Sequence, residues 1–167
     1  MLQAVDHFVF YDDVQFIKGG WINRNKILIN NQPKYFSAQM LAASSNKLIN
    51  EVGVDINDKG IRKALNTISQ NYSKAPFFNA VYPIVEEVYH SHKMNIAVLA
   101  ALSVTKISEY LELNTTFHFS SKLEFGHRAS DRAERLIEIC DGFQAKTYVN
   151  AAGGKELYSK EYFAKNG

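Results

Sequence analysis

TTFHFSSKLEFGHRASDRAERLIEICDGFQAKTYVN, residues 115–150, decides the fold class. Residues 115–119 (TTFHF) are aromatic and β-branched, the composition of a short strand. A polar stretch follows over 120–130. Ser130 then offers an N-cap and Asp131 an acid for the first turn of a helix over 131–142. Ala133, Leu136, Ile137 and Cys140 recur along it at the helical period. Residues 146–150 (KTYVN) read as another strand. Residues 151–154 (AAGG) make a tight connection to a short helix over 159–165, with Asn166-Gly167 as its cap. This β–α–β–loop–α order predicts an α/β fold with a mostly parallel sheet and helical crossovers.

Working outward, residues 7–11 (HFVFY) read as a strand buried on both faces, and residues 2–6 as the tail of a helix entering it. Residues 14–17 continue extended, and Gly19-Gly20 makes a turn. Alternation over 21–29, punctuation at 30–33 and extension over 34–40 predict an N-terminal β-hairpin turning at Asn30-Asn31. Residues 42–47 are a polar loop, and 48–56 (LINEVGVDI) alternate like a strand. Helices follow over 61–72, over 80–90 with Pro83 in its first turn, and over 95–113, the last apolar enough for deep burial. The expectation is a single α/β domain over residues 1–167 with a helical insertion at 57–113.

A chain of 167 residues can bury a core without disulfides or metals. Lys and Arg number 19 and Asp and Glu 17, so the net charge of +2 is too small to argue for nucleic acid or an anionic membrane. The single Cys excludes an intrachain disulfide framework and a Cys-rich zinc site. No apolar run approaches the roughly 20 residues that span a bilayer. Residues 1–13 lack the flanks of a secretory signal, which makes the cytoplasm the default location.

Five constellations can carry chemistry. Asp12 and Asp13 close a buried strand, where open α/β sheets bind ligands. Neighbouring residues of a strand face opposite ways, so one of the two enters a cleft as general base, or as holder of an amine, a sugar hydroxyl or Mg²⁺. The bland alternative is turn chemistry. Gln15 and Lys18 stand beside them. Residues 18–25 (KGGWINRN) join Lys18, two glycines, Trp21, Asn23, Arg24 and Asn25. Trp21 suits ring stacking, Arg24 a bidentate phosphate or carboxylate clamp, and the asparagines mixed donor–acceptor work. The alternative is a hairpin with Trp21 in the core and Arg24 on the surface. Ser44, Ser45, Asn46 and Lys47 can cradle a phosphate, although the loop lacks the glycines of a phosphate loop and a solvated loop is favoured.

The fourth group holds His127, Arg128, Ser130, Asp131 and Arg132, with Arg128 or Arg135 to hold a phosphate or diphosphate. There the helix N-terminus attracts anions, unless Ser130 only caps and the arginines are solvated. Asn150, Gly153 and Gly154 form the last, a loop permitting close ligand approach but lacking GxGxxG spacing. Tyr35 and Phe36 flank the cleft. Cys140, on an apolar helix face, reads as a small buried hydrophobe. No metal ligand set is assigned, and the cofactor stays open, with Mg²⁺ as the candidate.

With these residues laid out, the chain resembles the WbqC-like family of bacterial surface-polysaccharide (O-antigen) clusters. The resemblance runs through FVFYDDVQFIKGGWINRNKIL (8–28), SSNKLI (44–49), RLIEIC (135–140) and TYVNAAGGKELYS (147–159) with Phe163 following. Family members begin with an additional strand carrying a QPYFFPYxGYF-like segment and continue beyond the last helix, so the resemblance implies a fragment shortened at both ends. An uncovered sheet edge would then favour a homodimer. The resemblance further implies acyl or aminoacyl transfer onto a nucleotide-activated amino sugar. Asp12 or Asp13 would serve the acceptor amine, Arg24 and Arg128 the diphosphate, and Trp21 a ring. The competing expectation is a non-catalytic nucleotide-sugar-binding or scaffold module of the same pathway. Both take a small-molecule substrate, with no nucleic acid and no membrane span.

Overall fold

The computed structural model describes residues 1–92, 95–129, 131–152 and 158–167. They divide into two compact units, Met1–Tyr11 with Leu113–Gly167, and Asp12–Glu112. The strands are β1 (His7–Phe10), β2 (Arg24–Ile29), β3 (Gln32–Ser37), β4 (Met40–Leu41), β5 (Gly53–Val54) and β6 (Thr116–Phe119). The helices are α1 (Asp58–Tyr72), α2 (Phe78–His90), α3 (Ile96–Tyr110), α4 (Arg132–Gly142) and α5 (Lys160–Lys165). The fold is α/β. Among the described residues no helix is long and apolar enough to cross a membrane.

In the first unit β1 and β6 pair in parallel, from His7 beside Thr116 to Phe10 beside Phe119. Phe8, Phe10, Phe117 and Phe119 pack as an aromatic ladder, with Phe10 and Phe117 stacked at 5.6 Å between centroids. Before β1, the expected helix tail is a single 3₁₀ turn, Leu2–Ala4. The cap of α4 is Asp131, whose Oδ1 accepts the Ala133 and Glu134 N–H groups at 2.7 and 3.2 Å; Ser130 lies outside the described residues. Gly126 has φ +81, and a Cβ there would lie 2.5 Å from Ile139 Cγ1, so the approach of this loop to α4 requires glycine.

Residues 146–150 do not form the expected strand. Tyr148 instead stacks on Phe163 of α5, 5.1 Å between centroids at 9°. The ring is thus used in helix packing and no ladder partner is recruited.

The second unit contains the hairpin. β2 and β3 pair antiparallel from Arg24 beside Ser37 to Ile29 beside Gln32. Asn30 and Asn31 turn it with φ of 51 and 60, the two left-handed positions of a type I′ turn. The outer edge of β2 is tied to α1: the Leu28 N–H donates to the Tyr72 hydroxyl at 2.8 Å, and the Asn30 N–H to Asn71 Oδ1 at 3.1 Å.

The expected strand over 48–56 breaks into a 3₁₀ turn, Ile49–Glu51, and the two-residue β5, which pairs antiparallel with β4. Glu51 stops the extension by accepting the Leu48 N–H on its carboxylate at 2.8 Å. α1 begins at Asp58 rather than 61 because Asn57 Oδ1 accepts the Gly60 N–H at 2.8 Å.

α2 starts at Phe78, behind Phe77 at φ 63, so Pro83 falls beyond the first turn and leaves the Asn79 carbonyl without its helical donor. α3 ends at Tyr110, short of 113, and buries one side, Ile96, Ala97, Leu99, Ala101 and Ser108, while Val98 stays 39% exposed. The core of this unit is Phe16, Val52, Val54, Val88, Ile96 and Leu99.

Candidate functional site

Asp12 opens the second unit and is 5% exposed. The segment after it lies against residues 47–50. The Asn50 N–H donates to the Asp12 carbonyl, Ile49 N–H to Val14 and Phe16 N–H to Lys47, each at 2.9 Å. Gln15 faces Leu48 in an isolated antiparallel bridge. Asn50 Nδ2 reaches Asp12 Oδ2 at 3.3 Å. Asp12, Gln15, Lys47 and Asn50 therefore sit on two adjoining runs of chain. Sequence reading missed Asn50; its signal was a carboxamide inside an otherwise apolar alternation. Asp13 is half-buried, and Gln15 and Lys18 are exposed. The 44–47 loop closes on itself, with the Asn46 N–H donating to Ser44 Oγ at 3.2 Å and the Lys47 N–H to the Ser44 carbonyl at 3.1 Å. Ser45 and Asn46 are exposed at its tip.

The KGGWINRN segment forms an aromatic and cationic platform. Trp21 is 62% exposed, not a core residue, and lies 6.1 Å from the ring of Tyr35, itself 55% exposed. Arg24 Cζ stands 4.5 Å and Lys26 Nζ 5.3 Å from the Tyr35 centroid, within cation–π range. The cross-strand pairing of Lys26 with Tyr35 places them on one hairpin face. Arg24 Nε donates to the Gly20 carbonyl at 2.9 Å and a terminal N–H to Gly19. A guanidinium has five donors, so part of the fork remains for a ligand.

Asn23 works on backbone: its Nδ2 donates to the Ala38 carbonyl at 3.1 Å while its own carbonyl accepts the Ala38 N–H at 2.8 Å. Asn25 is exposed and accepts the Lys26 N–H at 2.8 Å. Lys26 was not singled out from sequence, because its role comes only from lying opposite Tyr35.

Tyr35 also walls a cavity of about 500 Å³ in this unit, between the hairpin, β5 and α1. Its apolar surface includes Phe36, Val54, Ile61, Ala64 and Leu99, and its polar groups include Asp55, Lys63, Thr67 and Tyr89. Phe36 and Tyr89 meet edge to face at 6.4 Å. Burial pushes the Tyr89 hydroxyl up to about 12, so it stays a neutral donor and acceptor. Both Asp55 oxygens accept from Asn57, Oδ1 from its N–H at 3.0 Å and Oδ2 from its side-chain amide. These contacts hold the Asp55 carboxyl below its ordinary range.

The remaining candidates belong to the first unit. Arg135 Nε donates to the Gly126 carbonyl at 2.6 Å, and its guanidinium lies 4.8 Å from the Tyr11 centroid. The Arg128 N–H donates to Glu138 Oε2 at 3.2 Å, and the residue is exposed. His127 contacts the Leu123 carbonyl at 2.8 Å. The first turn of α4 is not open to an anion as expected, since the Asp131 carboxylate already takes two of its N–H donors, which lowers its own pKa. Asn150 is exposed and lines a second cavity of about 600 Å³ with Tyr148, Cys140 and Phe163. Gly153 and Gly154 lie outside the described residues. Cys140 is half-buried, and burial, then Asp141, pushes its thiol up. Among the described residues no three His, Cys, Asp or Glu side chains group to hold a metal ion.

The chain carries this exposed aromatic–cation platform and the cavity on an α/β fold. It belongs to the WbqC-like protein family, whose sequence model matches residues 1–167. It is similar to the uncharacterized protein Rv1507c of Mycobacterium tuberculosis, at 24% identity over 165 residues, 98% of this chain and 70% of that protein. No solved structure matches it significantly.

Proposed function

We propose that the chain binds a nucleotide-activated amino sugar in bacterial surface-polysaccharide (O-antigen) assembly and supports acyl or aminoacyl transfer onto its amine. The observation that carries the reading is the Trp21–Tyr35 pair, two exposed rings 6.1 Å apart with Arg24 and Lys26 against the Tyr35 face. Exposed aromatic faces stack on sugar rings, and adjacent cations attract phosphate. In the transfer the amine nitrogen attacks the acyl carbonyl. The C–N bond forms as the bond to the donor's leaving group breaks, and a carboxylate takes the amine proton. Asp12 and Asp13 are the carboxylates proposed for that role.

A second reading, binding without catalysis, is favoured by one observation: the buried Asp12 carboxylate is engaged by Asn50. Thermal shift with UDP-, GDP- and dTDP-sugars, with and without Mg²⁺, tests the binding. A ligand at about 100 times its Kd stabilises by about 2.7 kcal/mol. Wild type should gain Tm, and Trp21→Ala and Lys26→Ala should lose the gain. No gain with any sugar nucleotide would sink the reading. Amide formation that survives in wild type and vanishes in both Asp12→Asn and Asp13→Asn would favour transfer over binding alone.

A further inference from the structure

We propose that the cavity walled by Tyr35, Phe36 and Tyr89 is the nucleoside subsite of this nucleotide-sugar site, in which Asp55 accepts hydrogen bonds from the ribose hydroxyls. The inference rests on the reading above and adds where the nucleoside goes and which sugar it must contain.

Three observations support it. The first is size and lining: about 500 Å³ lies within the range of small-molecule pockets, and the cavity combines aromatic walls, a buried floor at Val54 and Ile61, and few polar groups. A base needs flat apolar walls for its faces. Phe36 and Tyr89 contribute apolar walls, held edge to face with centroids 6.4 Å apart.

The second is continuity. Tyr35 belongs both to this cavity and to the platform of Trp21, Arg24 and Lys26. Tyr35 and Phe36 are neighbours in β3 and point to opposite faces, so Tyr35 is the residue at which a ligand seated in the cavity reaches the platform cations. Lys63 adds a cation to the cavity wall and has no ion pair among the described residues.

The third is the acceptor. The Asp55 backbone is fixed by its N–H donating to the Gln39 carbonyl at 2.9 Å, and its carboxylate is aimed by Asn57. Each carboxylate oxygen keeps a lone pair for a further donor. The Asn57 contacts also favour the ionised form, so the group accepts only, which suits a pair of hydroxyl donors. Carboxylates read ribose hydroxyls in the same way in dinucleotide sites. Removing one hydroxyl leaves the carboxylate short of a donor, so the subsite discriminates against deoxyribose.

Calorimetric titration of the full chain with UDP, GDP, dUDP, dGDP and UDP-N-acetylglucosamine tests this. The better-bound ribonucleotide should bind at least about tenfold more tightly than its deoxy form, the loss expected for a hydrogen bond to a charged group. Ala64→Trp, which fills the cavity from α1, should abolish binding of diphosphate and sugar nucleotide alike. Asp55→Asn should close the gap between ribo and deoxy forms. Undiminished binding of UDP-N-acetylglucosamine by Ala64→Trp would overturn the subsite while leaving the platform reading intact. Should Ala64→Trp fail to fold, Asp55→Asn decides alone, and an unchanged ribo-to-deoxy ratio overturns the assignment. If wild type binds none of the five ligands, the ribose subsite falls; the parent reading falls with it only when the GDP- and dTDP-sugars also give no thermal shift.

Discussion

Asn50 holds Asp12 twice, through its backbone N–H to the Asp12 carbonyl at 2.9 Å and its side-chain amide to Oδ2 at 3.3 Å. The same two segments are also joined by the Ile49 N–H to the Val14 carbonyl and the Phe16 N–H to the Lys47 carbonyl. Asn50→Ala removes a donor from a carboxylate that is 5% exposed and should cost about 1–3 kcal/mol in urea denaturation. Asn50→Asp should cost more at pH 7 than at pH 4, because two carboxylates then face each other and protonating one relieves the repulsion. An Asn50→Ala stability equal to wild type would mean that the bond is dispensable.

Gly126 should tolerate no side chain. Its φ of +81 disfavours any L-residue, and the new Cβ would press on Ile139, which α4 buries. Gly126→Ala is expected to lose about 1–3 kcal/mol or more. Gly167→Ala, also at positive φ but with nothing within 4 Å of a Cβ, is the control and should stay close to wild type.

His7 Nδ1 and His118 Nε2 lie 3.1 Å apart, and both rings pack on Phe143. Burial, then the neighbouring His7, holds the His118 imidazole below its usual range. The folded state therefore binds this proton less readily than the unfolded chain, whose histidine titrates near about 6.5. The stability contributed by His118 is complete above that pH and declines as pH falls through it. Chemical denaturation at pH 7.5 and 5.5 should show the decline, and His118→Phe should flatten it. A slope identical in His118→Phe would place the proton elsewhere.

Cys140 should react slowly. Its thiol is half-buried and raised in pKa, so little thiolate is present at neutral pH. Iodoacetamide labelling of the native chain at pH 8 should run at least about tenfold slower than labelling in denaturant. Equal rates would show that the helix face bearing Cys140 opens readily.

The hairpin was legible because its turn is local chemistry: two adjacent asparagines tolerate the left-handed backbone that a two-residue connection demands. Helix α4 was legible because its apolar spacing matches the period of the structure that buries it. Residues 146–150 were not. Tyr148 and Val149 have strand composition, but Tyr148 is used by Phe163, and no local pattern announces that contact. The same limit explains the site. Trp21 and Arg24 stand out in a short string, whereas Lys26 gains meaning only through register with Tyr35, and Asp55 and Lys63 only through a cavity assembled from the hairpin, β5 and α1.

The two bonds from the last turn of α1 to the hairpin, Leu28 to Tyr72 and Asn30 to Asn71, have a consequence for self-association. A bare strand margin invites a foreign strand to add to it and begin a fibril. Here a phenol and a carboxamide occupy those outward amides, so the hairpin is quenched as a template. Tyr72→Phe with Asn71→Ala would leave the folded core largely untouched yet uncover that margin, and amyloid-type polymerisation would be the price.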